Sequence, residues 1–482
     1  MKNGVLMQYF EWNLPNDGCL WQQLKEDSKH LSEIGVTAVW IPPAYKADEQ
    51  QDEGYATYDL YDFGEFDQKG TVRTKYGTRE QLQEAISALH DNGVQVLLDV
   101  VLNHKAGGDY KEKFEAVLVN PDNRNEDAGE PHEIESYTGY DFPARGDKYS
   151  SFKWHWYHFS GVSVDSSTGT EGIFRIIGDG KGWSKGVDNE NGNYDYLLAN
   201  DIDLDNPEVC EELDKWGQWV VKEFGFDGFR MDAVKHMDNN FTRNFLKCVK
   251  EEGGDNFYAV SEYWGNDIDA LKGFLDAVDN QTDLFDVPLH FNFHAASEKG
   301  AEFDMSSLLD GTLVSQNCDL AVTFVDNHDS QPGSSLESEV ADWFKPIAYA
   351  LILLMREGYP AIFYGDYYSE NRVGSCHRVI LDRLLEARRL YAYGEQDLLF
   401  DHPNVVGLVR HGDDEHKDSG LVLLMSNNED GWKDVCLGPE HAGEHWCEMT
   451  GSINDEIELD ENGCAAFSVK GRNIAVWIKK QG

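Results

Sequence analysis

Acidic and basic side chains follow several apolar segments of the sequence, and their types suit acid–base chemistry. Arg230 and Asp232 stand two residues apart in GFRMDAVKH (228–236). Glu262 stands near the end of FYAVSEYW, and Asp329 ends LAVTFVDNHD. A buried segment avoids such residues unless they are paired or functional. We therefore predict that these side chains lie together in one site.

The three acids differ in their predicted surroundings. Arg230 and Asp232 share one face of a strand, so the guanidinium should lower the pKa of the carboxyl and keep it ionised as a nucleophile. Two aromatic residues follow Glu262, and an apolar setting favours the protonated carboxyl that a general acid needs. Together with Asp329, these groups match glycoside hydrolysis through an oxocarbenium-like transition state. The sequence shows no phosphate loop, Ser-His-Asp order or His-Glu-x-x-His helix, which argues against other large hydrolase classes.

Strand-like and helix-like segments alternate along most of the chain, in eight strand–helix units. Eight such units predict an α/β fold, a closed (β/α)8 TIM barrel, with reactive side chains at the C-terminal ends of the strands. The alternative is an open doubly wound sheet, which usually has a Gly-rich phosphate loop after its first strand. No such loop is present. The predicted strands lie within 5–12, 38–43, 94–104, 228–234, 257–264, 283–290, 320–329 and 360–368.

Two regions depart from this alternation. Residues 105–206 are rich in Gly, Asn, Asp, Tyr and Trp, and so long an excursion after the third strand predicts an inserted, irregular β-rich domain. From residue 396 onward, short strand-like segments separated by turns predict a C-terminal antiparallel β-sandwich. We therefore expect a barrel formed by 1–104 and 207–395, an inserted domain at 105–206 and a C-terminal domain at 396–482.

The composition limits the kinds of partner that the protein can bind. Its 482 residues carry a formal net charge of −47, from 88 acidic and 41 basic side chains. Such a field repels phosphate backbones and anionic membranes, so we expect a neutral ligand, no nucleic acid and no membrane partner. The start MKNGVLMQYFEWN lacks signal-peptide features, and the eight cysteines show no Cys-x-x-Cys motif. We expect a cytoplasmic monomer with reduced thiols. The alternative is a secreted protein, if the sequence is that of a mature form.

Taken together, the motifs resemble the α-amylase family, glycoside hydrolase family 13. DVVLNH (99–104), GFRMDAVKH, EYW and FVDNHD (324–329) are similar to its four signature segments, in the same order. GYATYDLYDFGEF (54–66) and GYPAIFYGD (358–366) resemble its liquefying bacterial and intracellular members. The resemblance implies retaining, endo-acting hydrolysis of α-1,4-glucosidic bonds in starch, glycogen or maltodextrins. A transglycosylase or exo-acting hydrolase is the alternative, and a non-catalytic carbohydrate-binding protein is a remote one.

The resemblance also implies a role for each site residue. Asp232 would be the nucleophile, Glu262 the general acid and then base, and Asp329 the acid that stabilises the transition state. Arg230 would orient Asp232. Tyr58 would be the aromatic platform beneath the reacting sugar. Further substrate contacts are expected from Trp12, His104, Lys235, His236, Trp264 and His328.

A calcium site is expected where the inserted region returns to the barrel. Several acids gather in YDYLLANDIDLD (194–205), and oxygen ligands from loops suit Ca²⁺. The resemblance implies one structural calcium ion there. Further metals are not expected, because GWSKG (182–186) and HFSGVSVD (158–165) carry serines where similar sequences are acidic. The expected ligands and nearby acid are Asn103, Asp195, Asp201, the backbone carbonyl of His236, and Asp203.

Overall fold

In the computed structural model, which describes residues 3–368 and 377–480, eight parallel strands close into a barrel. The predicted barrel is confirmed. Its strands follow chain order, and the first strand pairs with both the second and the last. The strands are β1 (Leu6–Gln8), β2 (Ala38–Ile41), β3 (Gln95–Val100), β4 (Gly228–Met231), β5 (Tyr258–Ser261), β6 (Asp283–Phe285), β7 (Ala321–Phe324) and β8 (Tyr359–Phe363).

Helices surround this barrel, and local sequence signals set their ends. Thr78 forms a capping box with Gln81, and Gly35 ends the first helix in a left-handed conformation (φ 97°). The predicted strand at 283–290 is shorter than expected, because a helix capped by Asp286 begins at Val287. The helices are Leu20–Ile34, Arg79–Asp91, Pro207–Phe224, Asn239–Gly253, Ile268–Ala277, Val287–Lys299, Leu313–Gln316, Lys345–Leu354, Tyr364–Tyr367 and Arg378–Leu390. Within the described ranges, none of them is long and apolar enough to span a membrane.

The region after β3 forms a mostly antiparallel sheet above the barrel. A buried ion pair of 2.8 Å joins Arg145 in this region to Asp59 in the loop after β2. That pair fixes the inserted strands against the barrel mouth. The strands are His104–Lys105, Tyr110–Asn120, Asn123–Asp127, His132–Gly139, Phe159–Asp165, Thr170–Ile176 and Asn200–Ile202, beside a small hairpin of Lys46–Ala47 and Thr57–Asp59.

The C-terminal region consists of two packed antiparallel sheets, as predicted. Phe467 and Trp477 meet in the core between them. Cys436 and Cys464 stand opposite each other and form a disulfide, so the prediction of reduced thiols is wrong for this pair. Cys376 lies outside the described residues. The strands are Gln396–Leu398, Val405–Arg410, Leu421–Ser426, Gly431–Cys436, His445–Glu448, Glu456–Glu458, Cys464–Val469 and Asn473–Lys479.

Candidate active site

One arginine contacts three carboxyl groups at the C-terminal end of the barrel. Arg230 lies on β4 and is fully buried. Its Nη1 donates hydrogen bonds to Asp99 at 2.9 Å and to Asp232 at 2.6 Å, and its Nη2 donates to Glu262 at 3.0 Å. Asp99 is the direct register partner of Arg230 on β3, and Glu262 follows β5. The parallel register of three adjacent strands therefore brings these carboxyls to a single guanidinium.

Asp329 faces the same cluster from the turn after β7. Burial raises the pKa values of Asp232 and Glu262, and the negative charge of Asp329 adds to both rises. The side chain of Asn327 accepts a hydrogen bond of 2.9 Å from the backbone N–H of Asp329 and holds the turn. Oδ2 of Asp329 lies 3.4 Å from Nε2 of His328. The three predicted acids thus converge at the barrel mouth.

Burial raises the pKa of every acid in this cluster. The pKa rises to about 7 for Asp232 and for Glu262, and to about 6 for Asp329. Arg230 opposes the rise in each case. The predicted lowering at Asp232 is therefore wrong in direction, because the loss of hydration outweighs one nearby cation. Since one guanidinium contacts three of these carboxyls and Asp329 adds a fourth negative charge nearby, the cluster keeps a proton near neutral pH, as a general acid requires.

The aromatic ring beside the acids belongs to Tyr55 and not to Tyr58. Tyr58 is only 1% exposed, and its hydroxyl donates a 2.7 Å hydrogen bond to Asp109 in the inserted region. The hydroxyl of Tyr55 donates to Asp99 at 2.9 Å, and its ring stacks on His328 with 5.2 Å between centroids. The structure therefore corrects the placement of Tyr58. Both tyrosines occur in GYATYD, so the residue type alone could not choose between them.

Two predicted aromatic residues and one lysine line the mouth around this cluster. Trp12 stacks on His328 at 5.8 Å between ring centroids. Lys235 forms an ion pair with Glu190 of the inserted region and donates a 3.3 Å hydrogen bond to the carbonyl of Trp264. All of them are near the ends of β1, β4 and β5. The inserted region thus covers one side of the mouth through Glu190.

The three predicted histidines are buried and uncharged. Burial lowers the pKa to about 4 for His104 and to about 3 for His236, and it also lowers that of His328. Nε2 of His104 donates to the carbonyl of Tyr55 at 2.9 Å, and Nδ1 of His236 donates to the carbonyl of Tyr194 at 2.7 Å. The other ring nitrogen of each is therefore an acceptor. Neutral acceptors of this kind suit sugar hydroxyl groups.

The residues predicted to bind calcium include two buried carboxyls that lie close together. Burial raises the pKa of Asp195 to about 8. Burial is the main cause that raises the pKa of Asp201, and the negative charge of Asp195 raises it further. A cation would relieve this repulsion. The amide nitrogen of Asn103 is buried and has no hydrogen-bond partner in the described part of the chain. The two buried acids fit a calcium ion bound by oxygen atoms, for which the amide oxygen of Asn103, and not its nitrogen, is a suitable ligand.

Asp203 differs from the other two acids, because it already has a cationic partner. Its Oδ2 lies 2.5 Å from the ammonium of Lys181. The hydroxyl of Ser160 donates to Asp201, and the backbone N–H of Ser184 donates to Asp195 at 2.9 Å. Within residues 3–368 and 377–480, no group of three or more His, Cys, Asp or Glu side chains is arranged to hold a metal ion. Any calcium site here therefore depends on amide and backbone oxygens as well.

Two residues of the cluster had no predicted role. Asp99 accepts hydrogen bonds from Arg230, Tyr55 and the indole of Trp40, and the guanidinium lies 4.8 Å from the centre of the Trp40 ring. Asp99 stands in the quoted motif DVVLNH, and its pairing with Arg230 follows once the barrel register is known. Trp40 carried no comparable signal in the sequence.

Comparisons with known proteins agree with this geometry. The family described as "Alpha amylase, catalytic domain" matches residues 20–373. The chain is 49% identical over 480 residues to glucan 1,4-alpha-maltohexaosidase of Bacillus sp. (strain 707), covering 99% of this chain and 93% of that protein. It is 43% identical over 492 residues to the cytoplasmic alpha-amylase of Escherichia coli (strain K12), covering 99% of both. The crystal structure of an alpha-amylase from Geobacillus thermoleovorans, complexed with acarbose, shares the fold (18% identity, TM-score 0.64, 99% and 98% coverage). The chain belongs to the α-amylase family, as its signature segments predicted.

Proposed function

We propose that this protein is an endo-acting α-amylase that hydrolyses α-1,4-glucosidic bonds in starch, glycogen or maltodextrins with retention of configuration. One observation carries the proposal. Asp232 and Glu262 bind neighbouring nitrogens of the Arg230 guanidinium, at 2.6 and 3.0 Å. Two carboxyls held by one guanidinium favour the short separation typical of retaining enzymes, about 5 Å, over the wider one of inverting enzymes.

In the first step, a carboxylate oxygen of Asp232 attacks the anomeric carbon, and the bond to the leaving glycosidic oxygen breaks. Glu262 gives its proton to that oxygen, so the shortened chain leaves as an alcohol. Arg230 keeps the attacking oxygen in place through its 2.6 Å hydrogen bond. The product of this step is a glycosyl ester of Asp232.

In the second step, Glu262 takes a proton from water, and the water oxygen displaces Asp232 from the anomeric carbon. Asp329 hydrogen-bonds the ring hydroxyls and stabilises the positive charge that develops in both transition states. Tyr55 lies against the same ring, in the role first expected of Tyr58. Trp12, His104, Lys235, His236, Trp264 and His328 bind the flanking sugar units.

Asn103, Asp195, Asp201 and the backbone carbonyl of His236 would hold a calcium ion. When bound, this ion supplies a structural crosslink between the inserted region and the barrel and takes no part in bond breaking. The support is the pair of buried, mutually repelling carboxyls at Asp195 and Asp201. Because Lys181 neutralises Asp203, that residue lies outside the ligand set.

The organisation of the whole protein completes the proposal. The barrel comprises 1–104 and 207–395, the inserted domain 105–206 and the C-terminal domain 396–482. The protein acts on an α-glucan as a cytoplasmic monomer. A neutral polysaccharide suits a chain whose net charge is −47, because no repulsion opposes its approach.

A reducing-end assay on soluble starch and on maltoheptaose tests the function. Wild type should release reducing ends from both, with mixed products from starch at early times and α-configured products by NMR. Asp232→Asn should release none while keeping the wild-type fold. Release of a single short product from starch would favour an exo-acting enzyme, and disproportionation of maltoheptaose would favour a transglycosylase. If wild type binds maltodextrin but releases no reducing ends, the protein is a carbohydrate-binding protein and not a hydrolase.

A further inference from the structure

We propose that a second α-glucan binding site lies in a cleft between the inserted region and the helix Pro207–Phe224. The choice of ligand rests on the function proposed above. The cleft has a volume of about 370 Å³, which is within the usual range for small-molecule sites. None of the three catalytic acids lines it. Its lining includes Tyr61, Tyr149, Ser151, Glu212, Lys215 and Trp219.

Aromatic rings form one wall of this Trp219 cleft. The ring of Trp219 lies 4.9 Å from that of Tyr61 and 4.9 Å from that of Tyr149. Trp219 is half-buried, so part of its ring remains open to a ligand. The apolar faces of sugar rings pack on such aromatic surfaces, which combine a large contact area with a polar edge. Three clustered rings at a surface cleft therefore favour a carbohydrate.

The carboxylate of Glu212 supplies polar contacts beside these rings. Oε1 of Glu212 accepts hydrogen bonds from Tyr61 at 2.9 Å and from Ser150 at 2.5 Å. Oε2 accepts none from the residues that the structure describes, and Glu212 forms no ion pair with any of them. Because Oε2 keeps access to solvent, it needs no partner within the protein. Glu212 lines the cleft, where its carboxylate can accept hydrogen bonds from sugar hydroxyls.

The charges around the cleft favour a neutral ligand over an ion. Glu212 repels anions, whereas the ammonium of Lys215, which is paired with exposed Glu211 at 2.7 Å, opposes a second cation in the same cleft. Lys148 lies 4.9 Å from the centre of the Tyr149 ring and already occupies the position of a cation over that ring. A polyhydroxylated chain carries no charge of its own and can form hydrogen bonds with both Glu212 and Lys215.

The backbone at the edge of the cleft is strained. Tyr149 adopts a left-handed conformation with φ 71°, which is uncommon and costly for a bulky residue. Its hydroxyl donates a 2.8 Å hydrogen bond to Glu65, and this bond holds the side chain in place. Strain of this kind is concentrated at ligand-binding segments, where the surrounding structure maintains it.

Two variants test the cleft. Ser151→Trp fills the rim from an exposed position, and Trp219→Ala removes the main ring. Both should keep the wild-type rate on maltoheptaose and lower the rate on granular starch about fivefold, the loss expected from one ring contact. Asp122→Trp, on an exposed turn of the inserted region, is the matched control and should match wild type on both substrates.

Binding is measured separately by electrophoresis through gels that contain amylopectin, with Asp232→Asn as the background. Ser151→Trp should reduce retention in the gel, and Asp122→Trp should not. Unchanged retention together with an unchanged ratio of the two rates would overturn the second site, even if Trp219→Ala fails to fold. If wild type cleaves neither substrate, the proposed function fails, while the gel still decides whether the cleft binds glucan.

Discussion

Replacing Asp99 with Asn should move one side of the pH–rate profile and leave the other in place. Asp99 and Asp232 both accept hydrogen bonds from Nη1 of Arg230, and the charge of Asp99 raises the pKa of Asp232. Glu262 contacts Nη2 instead, and its pKa is raised mainly by burial and by the charges of Asp232 and Asp329, while Arg230 lowers it. Removing this charge should therefore ease ionisation of the nucleophile and leave the general acid nearly unchanged.

The geometry sets the size of this shift. The carboxylate oxygens of Asp99 and Asp232 lie 2.9 and 2.6 Å from the same nitrogen of Arg230. At a separation of about 5 Å and an effective dielectric constant of about 20, two unit charges repel by about 3 kcal/mol, or about two pKa units. Arg230 lies between them and neutralises part of this repulsion. We expect the pKa of Asp232 to fall by about one unit from its raised value.

The assay is kcat/KM on maltoheptaose across pH, because this ratio reports the ionisation of the free enzyme. The acidic limb, which follows deprotonation of Asp232, should move to lower pH by about one unit. The basic limb should stay within a few tenths of a unit. Asp109→Asn removes a carboxylate that bonds Tyr58 instead, and it should leave both limbs in place. A fixed acidic limb, or equal movement of both limbs, would refute this account of the cluster.

The remaining predictions concern catalysis, the metal and stability. Asp232→Asn should lower kcat at least about 1,000-fold without changing the melting temperature by more than a few degrees. Chelator should lower the melting temperature of wild type by about 5–10 °C, as loss of a bound ion does, but not that of Asp201→Asn. Burial lowers the pKa of His290 to about 4, so the unfolded chain takes up this proton first as pH falls below 6.5. The contribution of His290 to the free energy of unfolding should then fall by about 3 kcal/mol down to pH 4, and His290→Gln should make the total fall smaller by that amount. Reducing Cys436–Cys464, which are 28 residues apart, should destabilise the C-terminal region by about 3 kcal/mol.

One specific result would contradict each of these predictions. Residual turnover of Asp232→Asn above about one part in a thousand would remove it from the role of nucleophile. An equal response of wild type and Asp201→Asn to chelator would place the bound ion elsewhere. An equally steep pH dependence in His290→Gln would assign the proton uptake to other groups. A melting temperature that ignores reductant would show that the disulfide adds no stability.

The strands and the clustering of the three acids were predictable because both depend on local chemistry. A strand covered on both faces needs a continuous apolar run, and VQVLLDVV predicts β3 on that ground alone. Arg230 and Asp232 lie two apart, which fixes a shared face in any strand. The barrel register then brings Glu262 beside them. Residue spacing and strand order therefore predicted which side chains meet at the end of the barrel.

Features that depend on contacts across the fold were harder to predict. Tyr55 and Tyr58 are both aromatic and only three residues apart, and only the packing of the loop after β2 decides which one reaches Asp99. The pKa of Asp232 depends on how much water is lost around it, which spacing does not reveal. The pairing of Cys436 with Cys464 depends on the register of two strands that are distant in sequence.

Closure of the barrel has a consequence for synthesis of the protein. β1 pairs with β8 at Leu6 and Ala361, so the seam joins residues from nearly opposite ends of the catalytic region. At about 5–20 residues per second, a ribosome needs on the order of 20–70 s to deliver β8 after β1 has emerged. During that interval the growing sheet exposes an open edge, which is prone to pairing with other nascent chains. Shielding of this edge would therefore matter most when translation is slow, because the interval is then longest.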